Sequence, residues 1–323
     1  MRDLVALPKA HLHVHLESAI RWSTLREIGA ANGVDVPTGR TSFAGFAAFA
    51  AHNRLVRACL RRPADFVRVG REFCVDQATD GVGYVEVTFT AASHEERLGA
   101  PDMPLAALSE GLALGRADTG IECRVLLDHP RRRSVTRAWR TLELALRHDA
   151  VGIGLAGAES HPVEPFAAVF AAADEAGIRL VHHAGEECGP ASIRSAVGVG
   201  RADRIGHGIR AVDDPELLAE LRTRAIPLEV CPSSNVALGL VRSMADHPLP
   251  RLLAAGLTVT LNADIPTSVG TSLSEEYRRV RDTFALDDAA MANLARAAVR
   301  ASFAATATKN RLADGIDAWL AEP

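Results

Sequence analysis

Eight short apolar runs alternate with helical stretches along the chain, and this alternation restricts the fold more than any other feature of the sequence. The runs are mostly continuous, as expected of parallel strands that are buried on both faces. They lie near residues 10–16, 83–90, 121–127, 151–155, 178–183, 203–207, 226–231 and 257–263. Eight strand–helix alternations favour an α/β fold of the (β/α)8 TIM-type barrel class over an open doubly wound sheet.

Helical patterns fill several of the intervening segments. In residues 62–80 apolar side chains recur at spacings of three and four, and Pro63 stands near the start. Similar signals predict helices over 165–176, 213–224 and 249–255. Two further helices, over 287–305 and 309–322, are expected to close the fold at the C-terminus. Residues 1–323 are therefore interpreted as one barrel domain.

The connection after the first run is longer than a simple βα loop. Its residues 38–62 contain Phe43, Phe46 and Phe49, three residues apart, which marks one apolar helical face. Such a face either packs into the core or covers a site. The covering lid is favoured because insertions after barrel strands lie at the catalytic end. The sequence thus predicts extra helices in the first βα connection and at the C-terminus.

Composition excludes several classes of protein. Of the 323 residues 48% are hydrophobic and 24% charged, as in an ordinary globular protein, and the formal net charge is −4. This charge argues against a nucleic-acid or anionic-membrane surface, and the run Arg131–Arg133 is interpreted as a solvated loop rather than a phosphate site. A small-molecule partner is expected, with no nucleic acid and no membrane, and homo-oligomerisation is left open.

The cysteines indicate a reducing compartment. They are odd in number, show no CxxC spacing and are accompanied by no secretory pattern at the N-terminus, so cytoplasmic localisation is expected. The five are Cys59, Cys74, Cys123, Cys188 and Cys231. The longest apolar runs are too short or too interrupted to span a bilayer.

Polar side chains collect where the predicted strands end. Because the chemistry of a (β/α)8 barrel lies at the C-terminal ends of its strands, these residues are expected to share one site. They are His11, His13 and His15 in the first run, His182, His183, Glu186 and Glu187 at the fifth, His207 at the sixth and Asp264 at the eighth. Burying so many uncompensated polar groups costs about 1–3 kcal/mol apiece, and a bound cation removes that cost.

Imidazoles together with a carboxylate form a nitrogen and oxygen ligand set that suits zinc and leaves a position for water. A nearby glutamate could then move protons. Other catalytic signatures are missing from the sequence: the HExxH metalloprotease helix, the GxSxG elbow, the GxGxxG phosphate loop and the PCxxC motif of His/Cys/Cys zinc deaminases.

Taken together, these residues resemble the adenosine deaminase group of the amidohydrolase superfamily. The resemblance covers nearly the whole chain, from PKAHLHVHL at 8–16 to a helix that begins near 272. It includes YVEV (84–87), GLAG (154–157), HAGE (183–186), RIGHG (204–208), EVCPSSN (229–235) and LNAD (261–264). The family fold is a (β/α)8 barrel, in agreement with the strand count.

The resemblance implies a role for each matching residue. Four of them would hold one zinc ion (Zn2+) and the attacking water: His13, His15, His183 and Asp264. Glu186 would donate a proton to the ring nitrogen beside the attacked carbon, and His207 would orient or polarise the water. Asp264 and His207 can take and return the water proton. Because Glu186 must be protonated when substrate binds, a dry pocket that raises its pKa is expected.

Three polar neighbours fall outside this set. His11 lies deeper in the first strand and is expected to pack or to support the site from behind. His182 alternates away from His183 and is interpreted as structural. Glu187 is expected at the surface or behind the site.

The residues that read the substrate match the family only in part. The family's second aspartate, which contacts the purine imidazole nitrogen, is replaced by Ile265. The HLDG stretch, whose aspartate meets the ribose 5′-hydroxyl, is HLES here, with Glu17 and Ser18. Gly154 replaces the aspartate before LAG, whereas Gly157, whose amide would meet the ring nitrogen, remains. YVEV is followed by TFTAASH rather than by an RYSP-like continuation.

These features predict a zinc-dependent hydrolytic deaminase acting on an amino-substituted heterocycle. Because Ile265 cannot hydrogen-bond a ring nitrogen, ordinary adenosine is expected to be a poor substrate. The candidates are an adenine nucleoside with an enlarged 5′ group, such as aminodeoxyfutalosine, or an aromatic ring without a basic nitrogen at that position. Two alternatives stay open: a zinc amidohydrolase that cleaves a different C–N bond, and a catalytically silent binding protein derived from the family.

Overall fold

The computed structural model describes residues 1–36, 43 and 46–322, and it places eight parallel strands side by side in chain order. The strands are β1 (Lys9–His15), β2 (Val82–Phe89), β3 (Glu122–Pro130), β4 (Gly152–Ala156), β5 (Arg179–Ala184), β6 (Arg204–His207), β7 (Leu228–Val230) and β8 (Val259–Leu261). Each predicted run overlaps one of them. The predicted (β/α)8 barrel is confirmed.

The barrel closes between β8 and β1 through the residues that follow β8. Val14 and Asp264 form a parallel bridge. The amide of His15 donates to the carbonyl of Asp264 at 2.9 Å, and the amide of Asp264 donates to the carbonyl of His13 at 3.0 Å. Two predicted site residues, His13 and Asp264, therefore lie in the seam that closes the sheet.

Side chains complete this seam. The Oδ1 atom of Asn262 accepts hydrogen bonds from the amides of Leu12 at 2.9 Å and His13 at 3.1 Å. His11 accepts the amide of Ala263 at its Nε2 atom, at 3.0 Å. All of these groups are buried, so each backbone donor depends on the side chain that satisfies it. His11 is thus a packed, supporting residue, in agreement with the prediction.

Helices fill the connections between the strands. They are α1 (Trp22–Ala31), α2 (Phe46–Cys59), α3 (Pro63–Thr79), α4 (Ala91–Leu98), α5 (Met103–Thr119), α6 (Val135–Arg147), α7 (Ala167–Glu175), α8 (Pro190–Gly198), α9 (Pro215–Thr223), α10 (Pro232–Ala237), α11 (Leu249–Ala254), α12 (Pro266–Val269), α13 (Leu273–Phe284), α14 (Asp288–Ala301) and α15 (Thr306–Ala321). The predicted helices correspond to α3, α7, α9, α11, α14 and α15. Extra helices occur in the first connection and at the C-terminus, as expected.

Local chemistry fixes where these helices begin. The carboxylate of Asp65 accepts the amide of Arg62 at 2.9 Å, and Pro63 occupies the first turn of α3, where a missing amide hydrogen costs nothing. At α9 the Oδ1 atom of Asp214 accepts the amides of Glu216 and Leu217, both at 3.0 Å. Each carboxylate satisfies amides that have no partner within the helix.

A small apolar cluster lies apart from the main core at the end of β8. It contains Phe43, Phe49, Leu238, Ile265 and Val269, and we call it the lid cluster. The rings of Phe43 and Phe49 meet edge to face with their centroids 5.4 Å apart. Phe43 precedes α2 rather than belonging to it, and the side chain of Phe46, predicted on the same face, lies outside the described residues.

Within the described ranges, no helix combines the length and the apolar character that crossing a membrane requires. The five cysteines are all free thiols.

We predict that Asn262→Ala lowers the free energy of unfolding by about 2–4 kcal/mol, because it leaves the buried amides of Leu12 and His13 without an acceptor. Urea unfolding of the variant and the parent in the same metal state measures this difference. Asn293→Ala, on the exposed face of α14, is the matched control and is expected to change stability by less than about 0.5 kcal/mol. Equal effects of the two substitutions would show that Asn262 does not hold the seam.

Candidate active site

Four predicted metal ligands meet at the C-terminal end of the barrel. The Nε2 atoms of His15 and His183 lie 3.1 Å apart. The Oδ1 atom of Asp264 lies 3.5 Å from Nε2 of His15 and 3.6 Å from Nε2 of His13. Nε2 of His13 is buried and has no hydrogen-bond partner in the part of the chain that the structure describes. One point is therefore surrounded by three imidazole nitrogens and a carboxylate oxygen.

The hydrogen bonds behind two of these rings determine which nitrogen faces that point. Nδ1 of His13 lies 2.8 Å from a carboxylate oxygen of Glu229, and Nδ1 of His183 lies 2.9 Å from the carbonyl oxygen of Leu155. Carboxylate and carbonyl oxygens only accept, so each Nδ1 carries the hydrogen and each Nε2 presents a lone pair. Lone pairs that converge in a buried space repel one another unless a cation binds between them, so this donor set fits a metal ion such as zinc.

A line of alternating charges stands behind His13. The guanidinium of Arg204 donates to Glu229 at 2.5 Å and to Glu86 on its other side. Glu86 also accepts the amide of Phe303 at 2.6 Å, and the ring of Phe303 lies 3.8 Å from the guanidinium carbon. Both carboxylates and the arginine are fully buried. Such a set is stable only when each charge is paired, as here.

This line affects the ionisation of His13 and Glu229. Burial opposes the charged form of His13, but the carboxylates of Asp264 and Glu229 on either side of the ring raise its pKa to about 10. Burial likewise works against the charged form of Glu229, and Arg204 together with His13 lowers its pKa. The carboxylates therefore favour a positive charge at the Nε2 side of His13, and a metal ion supplies that charge in place of a proton.

Glu186 lies in the loop after β5, held in place by a second glutamate. The carboxylate of Glu159 accepts the amides of Glu186 at 3.0 Å, Glu187 at 2.7 Å and Cys188 at 2.9 Å, as well as the amide of Gly185. Burial, followed by repulsion from Asp264, Glu159 and Glu187, raises the pKa of Glu186 well above its usual range. A raised pKa favours the protonated form of this carboxyl group, as the predicted role of proton donor requires.

His207 and Asp264 share an unusual backbone conformation. Their φ angles are +63° and +55°, in the left-handed region that side chains other than glycine rarely adopt. Residues held this way cost of order 1–3 kcal/mol each and cluster at functional sites. Burial and the neighbouring His13 lower the pKa of His207 to about 3, so its imidazole is neutral.

The first turn of α10 orients both residues. The hydroxyl of Ser234 donates to Oδ2 of Asp264 at 2.6 Å. The amide nitrogen of Asn235 donates to Nδ1 of His207 at 3.3 Å, which leaves the hydrogen of that ring on Nε2, 3.6 Å from a carboxylate oxygen of Glu186. Asn235 also lies 3.4 Å from Glu186. Glu186 and His207 are therefore held against one another beside Asp264.

A cavity of about 710 Å³ opens onto this site. Its wall includes His15, His183, Glu186, His207 and Asp264, and it also includes Glu17 and Gly157. Glu17 is buried and lies 3.1 Å from Nε2 of His94; burial opposes its charge, but this hydrogen bond lowers its pKa. Gly157 has a φ of +87° and faces open space.

Ile265 occupies a different position from the other predicted substrate residues. Its side chain is 1% exposed and packs within the lid cluster. Two other members of that cluster, Phe49 and Leu238, line the cavity, whereas Ile265 is not among the described residues of the wall. Any influence of Ile265 on a ligand in this arrangement passes through its neighbours in the cluster.

Sequence reasoning missed Asp128, which lies at the end of β3 and lines the cavity. Its Oδ2 atom is 3.9 Å from Nδ1 of His15, and its Oδ1 atom is buried without a hydrogen-bond partner among the described residues. Burial raises its pKa. The rule that located the other site residues would have found it, but the predicted strand ended at residue 127, one position before Asp128, whereas β3 continues to Pro130.

The arginine run after β3 is a solvated loop only in part. Arg132 and Arg133 are exposed, in agreement with the prediction. Arg131 is buried, and it donates to the carbonyls of His161 at 2.9 Å and His183 at 2.6 Å. For Arg131 the prediction was wrong, because backbone carbonyls around the site need a donor that the sequence pattern does not reveal.

His182 is structural, as expected from its alternation with His183. It is fully buried, accepts the amide of Leu155 at Nδ1, at 3.2 Å, and donates from Nε2 to the carbonyl of Gly200 at 2.8 Å. Glu187 is exposed.

The sequence model of the family described as adenosine deaminase matches residues 8–319. A putative adenosine/adenine deaminase of Streptomyces coelicolor is 37% identical, over 99% of this chain and 98% of its own. The adenine deaminase of Arthrobacter aurescens superposes with a TM-score of 0.92 at 30% identity, covering 98% of this chain and 99% of its own. An amidohydrolase of Burkholderia ambifaria with bound zinc gives a TM-score of 0.88 at 25% identity, covering 98% and 93%.

We predict that Glu229→Gln weakens zinc binding about 10–100-fold, because a neutral amide holds the His13 ring less firmly than a carboxylate. Competition with a chromogenic chelator measures the affinity. Glu86→Gln is the matched control, since it also removes one carboxylate from Arg204 but does not touch His13. Equal zinc affinities in the two variants would contradict the orienting role of Glu229.

Proposed function

This chain belongs to the adenosine deaminase family, and on that premise we propose that it is a zinc-dependent hydrolytic deaminase of an amino-substituted heterocycle. Its relatives are hydrolases of C–N bonds other than peptide bonds. The observation that carries the proposal is a buried carboxyl group, Glu186, that lies close to Asp264 and His207, with Asp264 in turn beside the convergent nitrogens of His13, His15 and His183.

The proposed ligands of one zinc ion per chain are His13, His15, His183 and Asp264. Their donor atoms fit the ion because His13 and His183 present lone pairs to a shared point and Nε2 of His13 has no other partner among the described groups. When bound, zinc supplies the Lewis acidity that makes a water molecule a competent nucleophile near neutral pH.

The remaining steps are assigned to side chains. Glu186, protonated because of its raised pKa, donates to the ring nitrogen beside the carbon that bears the amino group. Water adds to that carbon and gives one proton to Asp264, which passes it to the amino group, and the amino group leaves as ammonia. The remaining hydroxyl proton returns to Glu186, so that the carbonyl product forms and the carboxyl group is restored. Neutral His207 is suited to orienting the water rather than to taking its proton, because its Nδ1 atom accepts from Asn235 and its Nε2 atom carries the hydrogen.

The substrate is proposed to be an amino-heterocycle that does not depend on a hydrogen bond from the residue after Asp264. Ile265 offers no such bond, and the lid cluster presents the apolar side chains of Phe49 and Leu238 to the cavity instead. Glu17 and Asp128 are two carboxylates on the same wall, and they are suited to accept hydrogen bonds from the hydroxyl groups of a sugar. An adenine nucleoside with a modified 5′ group fits this wall, with the amide of Gly157 available to the ring.

We also propose that residues 1–323 act as one catalytic domain in the cytoplasm, in agreement with a main core that draws on every strand and with five free thiols.

We predict that Glu186→Gln retains one zinc ion per chain and loses about 10²–10⁴-fold in kcat, because an amide cannot donate the catalytic proton. Ammonia release from a panel of aminopurines, their nucleosides, pterins and aminopyrimidines measures turnover, and elemental analysis measures zinc. Glu175→Gln, at the exposed end of α7, is the control and is expected to keep its turnover. Less than about half a zinc per chain in the parent, with no gain on adding zinc, would refute the metal assignment.

A second prediction concerns Ile265. If a missing ring contact limits adenosine, Ile265→Asp raises the kcat/KM for adenosine relative to that for the best substrate about 5–100-fold, the equivalent of one hydrogen bond in a dry site. A ratio of two substrates is used because a carboxylate in the lid cluster also reduces the amount of folded enzyme. Ile265→Val keeps the cluster apolar and should leave the ratio unchanged. A parent enzyme that prefers adenosine by orders of magnitude would contradict this interpretation of Ile265.

A further inference from the structure

The cavity-facing side of α2 changes character along its length. Phe49, Ala50, Asn53, Arg54 and Arg57 line the cavity, at spacings that place them on one face of the helix. The face is apolar at residues 49 and 50 and cationic at 54 and 57. Eight residues separate Phe49 from Arg57, which corresponds to about 12 Å along a helix.

A third arginine joins the cationic end from α4. Arg97 also lines the cavity, and it donates to the carbonyl of Leu60. Burial, followed by repulsion from Arg61 and Arg57, lowers the pKa of Arg97. Arg57 and Arg97 are thus near enough for their like charges to oppose each other.

Among the residues that the structure describes, no carboxylate lies within ion-pair distance of these three guanidinium groups. Two carboxylates of the same wall are already engaged: Glu17 by His94, and Glu96 by Arg137 and Arg133. By contrast, many arginines elsewhere on the surface are paired with acidic residues. Like charges gathered without a counterion at a cavity are stabilised by an anionic ligand.

We propose that Arg54, Arg57 and Arg97 form an anion subsite that binds a phosphate or carboxylate group on the part of the substrate remote from the reacting ring. The inference rests on the proposed function, since it places the ring at the metal ligands in the same cavity. The apolar start of the α2 face lies by the lid cluster next to Asp264, and the cationic end lies by Glu17, so the ligand extends from ring to anion along this helix. That length suits a ring joined to a sugar and then to an anionic substituent.

Arg57 also interacts electrostatically with Glu17 and Asp128. An arginine that only balanced these two carboxylates would contribute equally to neutral and anionic ligands. The ratio of the two affinities separates that structural role from an anion subsite.

The test uses ligands that cannot be deaminated: inosine, inosine 5′-monophosphate and inosine 5′-carboxylic acid. Titration calorimetry with the zinc-loaded full chain gives each dissociation constant. We expect at least one of the two anionic ligands to bind at least tenfold more tightly than inosine. The anionic ligand that binds more tightly shows whether phosphate or carboxylate is the preferred group. Weaker or equal binding of both anions overturns the proposal.

Single arginine substitutions test which side chains cause the preference for an anionic ligand. Arg57→Met and Arg97→Met are each expected to reduce the affinity ratio of the preferred anion to inosine at least fivefold. Arg61→Met is the matched control, because Arg61 carries the same charge close to Arg97 but does not line the cavity. A ratio that falls equally in all three variants, or in none, overturns the assignment.

The outcome is separate from that of the proposed function. An absence of ammonia release from every amino-heterocycle refutes the deaminase proposal, while the affinity ratio still decides the subsite. Conversely, turnover of neutral heterocycles without any preference for an anion refutes the subsite alone.

Discussion

The site depends on a line of alternating charges that crosses the barrel from Glu86 through Arg204 and Glu229 to His13. Each member is buried, and removing one would leave its neighbours uncompensated in a medium that solvates charge poorly. The line ends at the Nε2 atom of His13, which has no partner among the described residues. These buried ion pairs therefore orient the His13 ring so that its Nε2 lone pair faces the point where the other proposed ligands meet. A cation bound there would add the next positive charge to the line.

The same residues hold the barrel together. The amide of Asp264 donates to the carbonyl of His13 across the seam between β8 and β1, and the side chain of Asn262, two residues before Asp264, accepts the amide of His13. Closing the sheet and assembling the proposed metal ligands are thus one event. The positive φ of Asp264 turns its carboxylate from the seam toward the imidazoles, at an energetic cost that the closed barrel and the hydroxyl of Ser234 offset.

The sequence predicted the barrel because two signals agreed: continuous apolar runs marked the strands, and polar residues marked their C-terminal ends. The sequence did not reveal which side chains lie behind those strand ends or face them. Glu229 and Arg204 stand inside strands, where a charge carries no pattern that reveals its partner. Asp128 was missed by one residue at a strand boundary, and Arg131 was misread because nothing in an arginine run distinguishes a buried donor from a solvated one.

In the first βα connection, the hydrophobic periodicity predicted the apolar contacts but not the charged residues on the same helix. Phenylalanines three residues apart correctly indicated an apolar surface, and Phe43 and Phe49 do pack together with Ile265. The pattern did not reveal that the same helix continues into Arg54 and Arg57 on its cavity side, because hydrophobic periodicity ignores the polar residues that share a face. Phe49, which packs with Ile265 in the lid cluster, and these arginines are therefore the two ends of one wall. On the proposed function, an apolar end that makes no hydrogen bond to the ring leaves recognition to the arginine end, where unpaired charge supplies the affinity that the ring contact does not.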